Sequence, residues 1–123
     1  MIHSILWVGF GSFLGGVCRF LSTRLIGAHL SGTYPIGTFA VNIAGCFLIG
    51  LFYGLSENGL SPNVRLFLTV GFCGGFTTFS TFANESLQLF KEGNVLSLAI
   101  YAALSVFLGI LAVYAGNMAT KIL

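Results

Sequence analysis

Hydroxyl and phenylalanine side chains are concentrated in one short stretch of this apolar chain. Residues 71–82 contain three glycines, three threonines, one serine and four phenylalanines. Glycine and threonine are poor helix formers, so a helix is predicted to break here. A break would free backbone carbonyls, which suit a small hard cation, and backbone amides, which suit an anion. The alternative is an unbroken helix whose hydroxyl groups bond their own preceding turn.

The residues after this break combine aromatic rings with hydroxyl groups. Phe79 and Phe82 lie three residues apart and share one helix face, among Thr78, Ser80 and Thr81. A phenyl edge is the positive end of the ring quadrupole, so rings turned edge-on would favour an anion without offering it a full charge. Phenylalanines that only pack or face lipid are the alternative interpretation.

Two other segments carry polar groups at helical spacing. One row consists of Thr38, Asn42 and Cys46, and the other of Ser97, Tyr101 and Ser105. Asn42 is in the middle of the first row, and its NH₂ group offers two donors. They predict a track of hydrogen-bond donors that runs down several helices. Polar side chains that only hold helices together would give the same pattern.

The overall composition determines which elements position these side chains. Of 123 residues, 56% are hydrophobic and only 7% are charged, whereas the surface of a soluble domain is about 25–35% charged. A water-soluble fold is therefore excluded. The net charge of +2, without a basic cluster, argues against a nucleic-acid partner. The sequence contains no nucleophile–base pair, paired carboxylates, phosphate-binding glycine loop or metal-ligand cluster, so an enzyme is not expected.

The apolar sequence divides into four segments, each about as long as a membrane-spanning helix. They cover residues 4–26, 36–55, 64–90 and 95–118. The connections are short, so consecutive helices are predicted to be antiparallel neighbours. The predicted fold is a single all-α domain of four transmembrane helices, of which the third is broken near its middle.

The charged residues give little preference for one orientation in the membrane. Four spans would put Arg65 and Lys121 on one side, and Arg19, Arg24 and Lys91 on the other. So small a bias gives the positive-inside rule little to act on, and two oppositely inserted copies could pair. A single orientation set by other features is the alternative. Arg19 itself either snorkels to the interface or stands at a vestibule that attracts anions.

Small residues also recur at a spacing of four, which lets helix backbones approach closely in lipid. The pairs are Gly11 and Gly15, Gly50 and Gly54, Gly71 and Gly75, and Ala112 and Gly116. This spacing fits packing inside one bundle and an interface between subunits equally well.

Three of these stretches resemble the Fluc (CrcB) fluoride channels. Residues 71–82 followed by Glu85 look like the third-helix signature of that family. Residues 37–47 are similar to its second-helix motif, and residues 15–19 to its first. The resemblance covers essentially the whole chain.

The resemblance implies a dual-topology antiparallel homodimer in the cytoplasmic (inner) membrane, with two pores that passively export fluoride. It also implies a structural sodium ion at the dimer interface, held by the backbone carbonyls of Gly74 and Thr77. Fluoride is small and strongly hydrated, so a pore must replace its water with uncharged donors and still release it. The implied pore residues are Asn42, Thr78, Phe79, Ser80, Thr81, Phe82, Tyr101 and Ser105, with Arg19 near the vestibule.

Two other classes of membrane protein match the length of this chain. A small four-helix multidrug or cation transporter would need a carboxylate in its first span, and residues 4–18 contain none. An accessory membrane subunit would not need the cluster of hydroxyl groups and phenylalanines.

Overall fold

The computed structural model describes residues 1–29 and 35–122, and helices dominate this part of the chain. Helix α1 spans Ile2–His29, α2 spans Ile36–Ser56 after Pro35, and the last helix spans Val95–Ile122. Four segments are long and apolar enough to cross a membrane: Ile2–Gly27, Ile36–Ser56, Pro62–Lys91 and Val95–Ile122. The four-helix prediction is thereby confirmed, and the chain is a multi-pass membrane protein.

The third segment consists of several helical pieces. Helix α3, Pro62–Leu66, begins at Ser61, whose Oγ accepts a hydrogen bond from the Val64 amide at 3.3 Å. A π-helical stretch, Phe67–Cys73, follows, and its wide turns pair each N–H with the carbonyl five residues earlier. One further turn, α4 (Gly74–Phe76), leads to the break. Beyond the break, α5 covers Phe79–Lys91 and the last helix, Val95–Ile122, is α6.

The break itself consists of two extended residues. Thr77 has φ −89° and ψ 161°, and Thr78 has φ −150° and ψ 124°. Both conformations are far from helical values. The helix is therefore interrupted inside the stretch where the glycine and threonine content predicts it, and the unbroken alternative is wrong.

Glycines hold α1 against the first half of the third segment. A Cβ atom added to Gly15 would collide with the carbonyl oxygen of Phe72, and one added to Gly75 would lie 2.6 Å from the Ser12 carbonyl oxygen. Gly11 and Gly71 face each other at the same contact. Only residues without a side chain permit this backbone approach.

The helices α2 and α6 meet through a second set of glycines. An added Cβ would collide with the Val113 carbonyl at Gly50, and with the Phe47 carbonyl at Gly116. Gly54 lies against the side chain of Thr120. The glycines of the spaced pairs thus make contacts within the chain, as the first of the two interpretations predicts.

Few large apolar side chains are buried in the single chain. Among the described residues, the buried hydrophobic side chains are Val41, Cys73, Phe76, Leu89 and Tyr101. Many others, on all four segments, are mostly exposed, as at Phe13, Phe107 and Ile110. An exterior this apolar must be covered by lipid or by other protein.

Candidate functional site

Asn42 on α2 binds the break through both ends of its carboxamide. Its Nδ2 donates to the Thr78 carbonyl at 3.0 Å, and its Oδ1 accepts from the Thr78 amide at 2.8 Å. The side chain therefore pairs with Thr78 much as a neighbouring β-strand would. Since Nδ2 carries two hydrogens, one N–H remains available beyond this pairing. The residue predicted as a pore-facing donor also holds the break in shape.

Hydroxyl groups cluster where α5 begins. Thr78 Oγ1 accepts from the Thr81 amide at 3.2 Å and caps the helix. The same oxygen lies 3.1 Å from Thr81 Oγ1, to which it donates, and 3.4 Å from Ser80 Oγ. The structure thus brings together the three predicted hydroxyl residues at a helix N-terminus, where the helix dipole favours negative charge.

Several carbonyl groups at the break bond to neighbouring residues. The Cys73 carbonyl accepts from the amide of Thr77 at 3.0 Å and from its hydroxyl at 2.9 Å. The Gly75 carbonyl accepts from Arg19 Nε on α1 at 3.0 Å. These bonds satisfy two of the carbonyl groups that the end of a helix leaves without a partner.

Other carbonyls at the break keep their lone pairs. Within the described ranges, no hydrogen-bond donor reaches the carbonyls of Gly74, Phe76 or Thr77. Gly74 is exposed, and an added Cβ there would meet no atom within 4 Å. Carbonyl oxygens without a hydrogen-bond donor are ligands for a hard cation, so Gly74 and Thr77 fit the predicted sodium site.

Aromatic rings extend from the break into the interior of the chain. The ring centroids of Phe79 and Phe82 are 5.7 Å apart, and those of Phe82 and Tyr101 are 5.0 Å apart. Phe79 is 79% exposed, whereas Tyr101 is 7% exposed. The Tyr101 hydroxyl donates to Glu85 Oε1 across 3.4 Å. The predicted aromatic residues therefore form one row that begins at the surface of the single chain.

A groove of about 510 Å³ joins these features. The groove is lined by seven of the residues predicted for the site: Asn42, Gly74, Thr77, Thr78, Phe79, Phe82 and Ser105. The Ser105 hydroxyl is buried and makes no hydrogen bond within the described part of the chain. Tyr101 lines a neighbouring apolar groove of about 340 Å³ with Phe39 and Ser97. Arg19, predicted near a vestibule, lines neither groove, and its Nε donates to the Gly75 carbonyl.

Two residues of the site have a role that sequence reasoning missed. An added Cβ on Gly45 would collide with Thr77 Cγ2 and lie 3.3 Å from Phe76 Cδ2. Gly45 lies three residues after Asn42 on the same face of α2, which is the signal that could have indicated its contact with the break. Glu85 is an acid within a span, for which hydroxyl groups or an arginine are the expected partners, and its pairing with the Tyr101 hydroxyl depends on how α5 meets α6.

The fold and the site place this protein among the membrane proteins in which an interrupted helix brings polar groups together between the spans. The chain belongs to the CrcB family, because the family model described as "CrcB-like protein, Camphor Resistance (CrcB)" matches residues 6–117. The family resemblance of the sequence motifs is thereby confirmed.

Curated relatives match the chain over nearly its full length. It is 45% identical over 122 residues to the "Fluoride-specific ion channel FluC" of Flavobacterium psychrophilum, covering 98% of each chain. The protein of the same name from Bacteroides fragilis is 51% identical over 120 residues, with 94% of each chain covered. The Campylobacter jejuni protein, also so named, is 41% identical over 98% of this chain and 100% of the relative.

Proposed function

We propose that this protein is a fluoride-selective ion channel that lets fluoride leave the cell passively across the cytoplasmic membrane. The observation that carries the proposal is the row of rings from Phe79 to Tyr101 beside the hydroxyl cluster at the start of α5. The relatives named as fluoride-specific channels support it. The function is ion conduction rather than an enzymatic reaction, and the substrate is the fluoride ion itself.

The chemistry of the site suits a small and strongly hydrated anion. Hydroxyl groups of Thr78, Ser80 and Thr81 and the edges of Phe79 and Phe82 replace water around the ion. This path is extended by the remaining N–H of Asn42, the Tyr101 hydroxyl and the Ser105 hydroxyl, which has no hydrogen-bond partner in the described part of the chain. The Tyr101 hydroxyl must leave Glu85 to donate to the ion. Uncharged donors bind fluoride weakly enough for it to leave again.

The functional unit in this proposal is an antiparallel homodimer. Phe79 lies on the surface of the single chain, and the groove beside Gly74 and Thr77 is open on one side. A second copy would cover both, and the nearly balanced charges at the two ends of the helices allow it to insert the opposite way.

The proposed dimer also holds a structural sodium ion. The carbonyls of Gly74 and Thr77 would be its ligands, because they are hard oxygen atoms without a hydrogen-bond donor in the described chain. In each copy, the helical part of the third segment before the break ends in a negative C-terminus. The ion would neutralise these two ends where the copies meet.

The channel function is tested by fluoride efflux from proteoliposomes, followed with a fluoride-selective electrode and compared with chloride. We expect rapid fluoride efflux and negligible chloride efflux. Efflux of an organic cation coupled to protons, without fluoride movement, would instead support a small multidrug transporter, and no transport of either would support an accessory subunit.

The antiparallel arrangement is tested by adding two or three lysines to one end of the helices, which imposes one orientation. Fluoride efflux should collapse in each singly oriented variant. It should return when variants with opposite bias are expressed together. Normal efflux from a singly oriented population would rule out the antiparallel dimer.

A further inference from the structure

Arg19 lies on α1, at the depth of the break in the third segment. The glycine contacts between α1 and the third segment lie just before this position, and Gly75 itself packs against Ser12 and Gly16. Arg19 is half-buried, and its Nε lies 3.0 Å from the Gly75 carbonyl oxygen. Its terminal nitrogens donate to no residue in the described ranges. The contact to the break is therefore made by one nitrogen in particular.

This contact changes which carbonyls at the break are available to a ligand. Gly75 stands between Gly74 and Thr77, the two residues proposed as sodium ligands. With the Arg19 bond in place, the Gly75 carbonyl is occupied, whereas those of its two neighbours in the proposed site are not.

We propose that Arg19 is a positioning residue for the break: its Nε–H bond fixes the Gly75 peptide group, so that the Gly74 and Thr77 carbonyls turn towards the groove. The consequence for cation binding rests on the sodium site proposed above. This role differs from that of a vestibule charge, because it depends on a donor at one place in the side chain and not on a net positive charge.

Three substitutions separate the donor from the charge. In glutamine, Nε2 is the same number of bonds from Cα as Nε is in arginine, so Arg19→Gln keeps a donor and removes the charge. Arg19→Lys keeps the charge and moves the donor nitrogen one bond further out than Nε. Arg19→Met keeps the bulk and removes both. Arg24→Met on the same helix is the matched control, because Arg24 lies over the Phe20 ring, 5.8 Å from its centroid, and makes no side-chain hydrogen bond within the described ranges.

The experiment measures fluoride efflux from liposomes as a function of sodium concentration. We expect Arg19→Met to need about tenfold more sodium for half-maximal efflux, equivalent to about 1.4 kcal/mol, and Arg19→Gln to stay within about threefold of the wild type. Arg24→Met should leave the sodium dependence unchanged. If Arg19→Lys matches the wild type while Arg19→Gln is as impaired as Arg19→Met, the proposal is overturned in favour of a vestibule charge.

The outcomes also separate this proposal from the sodium site. If wild-type efflux does not depend on sodium, the sodium site fails, and the ratio of efflux rates between Arg19→Gln and Arg19→Met then tests the positioning role. Equal rates would overturn it. If the Arg19 variants do not assemble, solid-state NMR of the wild type in bilayers supplies the test. An Arg19 Nε–H signal that is protected from exchange supports the bond, and a rapidly exchanging one overturns it.

Discussion

The contact between α2 and α6 and the break in the third segment use glycine in opposite ways. Gly50 and Gly116 bring two continuous helices so close that backbone carbonyls occupy the space of a side chain. Gly74, at the break, is exposed, has no neighbouring atom within 4 Å of an added Cβ, and has a carbonyl without a hydrogen-bond donor in the described ranges. The first arrangement satisfies its backbone within each helix, whereas the second depends on side chains from other helices. Rigid scaffold and ligand site are thus separate parts of this small bundle.

The largest effect is expected where the scaffold has least space. Gly116→Ala should prevent most of the protein from assembling, because its Cβ would collide with the Phe47 carbonyl and force α2 and α6 apart. Gly9→Ala is the control, since an added Cβ there meets nothing within 4 Å and alanine favours a helix. Size-exclusion chromatography and thermal unfolding measure the difference. Equal yields of both variants would show that the close contact is not needed.

The next effect concerns the rings at the break. Phe79→Ile and Phe82→Ile should each leave a folded protein but reduce fluoride efflux by about a hundredfold, or about 2.7 kcal/mol in the barrier. Isoleucine keeps the bulk and loses the ring quadrupole, whereas methionine should retain some efflux through its polarizable sulfur. Phe107→Ile, on the exposed side of α6, is the control. Near-normal efflux from both folded variants would exclude the ring-edge mechanism.

Two asparagines allow a direct comparison of the break with the scaffold. Asn42→Asp should reduce fluoride efflux by at least about tenfold, because a carboxylate loses the bond to the Thr78 carbonyl and repels the anion. Asn117→Asp changes a longer contact, 3.5 Å from Asn117 Nδ2 to the Gly50 carbonyl, and should reduce efflux much less. Liposome efflux under identical protein loading compares them. A larger loss at Asn117 would reverse the assignment of site and scaffold.

Removing sodium should lower fluoride efflux several-fold and leave the helices intact. A ligand that binds the folded state stabilises it in proportion to the logarithm of its concentration, so the dimer should also dissociate more readily. Replacement by potassium keeps the ionic strength constant, and circular dichroism checks the helix content. Full efflux and full dimer stability after sodium removal would contradict a cation at Gly74 and Thr77.

The smallest effect is expected at the inner end of the ring row. Tyr101→Phe removes a hydroxyl whose bond to Glu85 is long, at 3.4 Å, and keeps the contact with Phe82. Because the hydroxyl must give up this bond before it can donate to fluoride, its net contribution to the path is that of one weak hydrogen bond, about 0.5 kcal/mol, and efflux should fall by about twofold. A loss as large as that of Phe82→Ile would indicate that the hydroxyl, rather than the ring, is the main ligand at this position.

The sequence allowed the four segments and the break to be predicted, because hydrophobic length and local helix propensity are properties of single segments. The two hydrogen bonds between Asn42 and Thr78, and the hydrogen bond from Arg19 to Gly75, could not be predicted in the same way. Each joins residues 36 or 56 positions apart and depends on how the helices pack. The spaced glycines were ambiguous for a related reason, since the same spacing serves contacts within and between chains.

The π-helical stretch Phe67–Cys73 has a consequence for how insertions and deletions act on this chain. Its wide turns hold more residues than α-helical turns do, so they set the rotational phase between Pro62, at the start of the third segment, and the break. If one residue were deleted there and the wide turns were kept, the following residues would rotate around the helix axis by somewhat less than the α-helical value of about 100° per residue. Gly75 would then turn away from α1. The spacing between the loop and the break is therefore constrained in length as well as in composition, unlike a surface loop, where an added residue changes little.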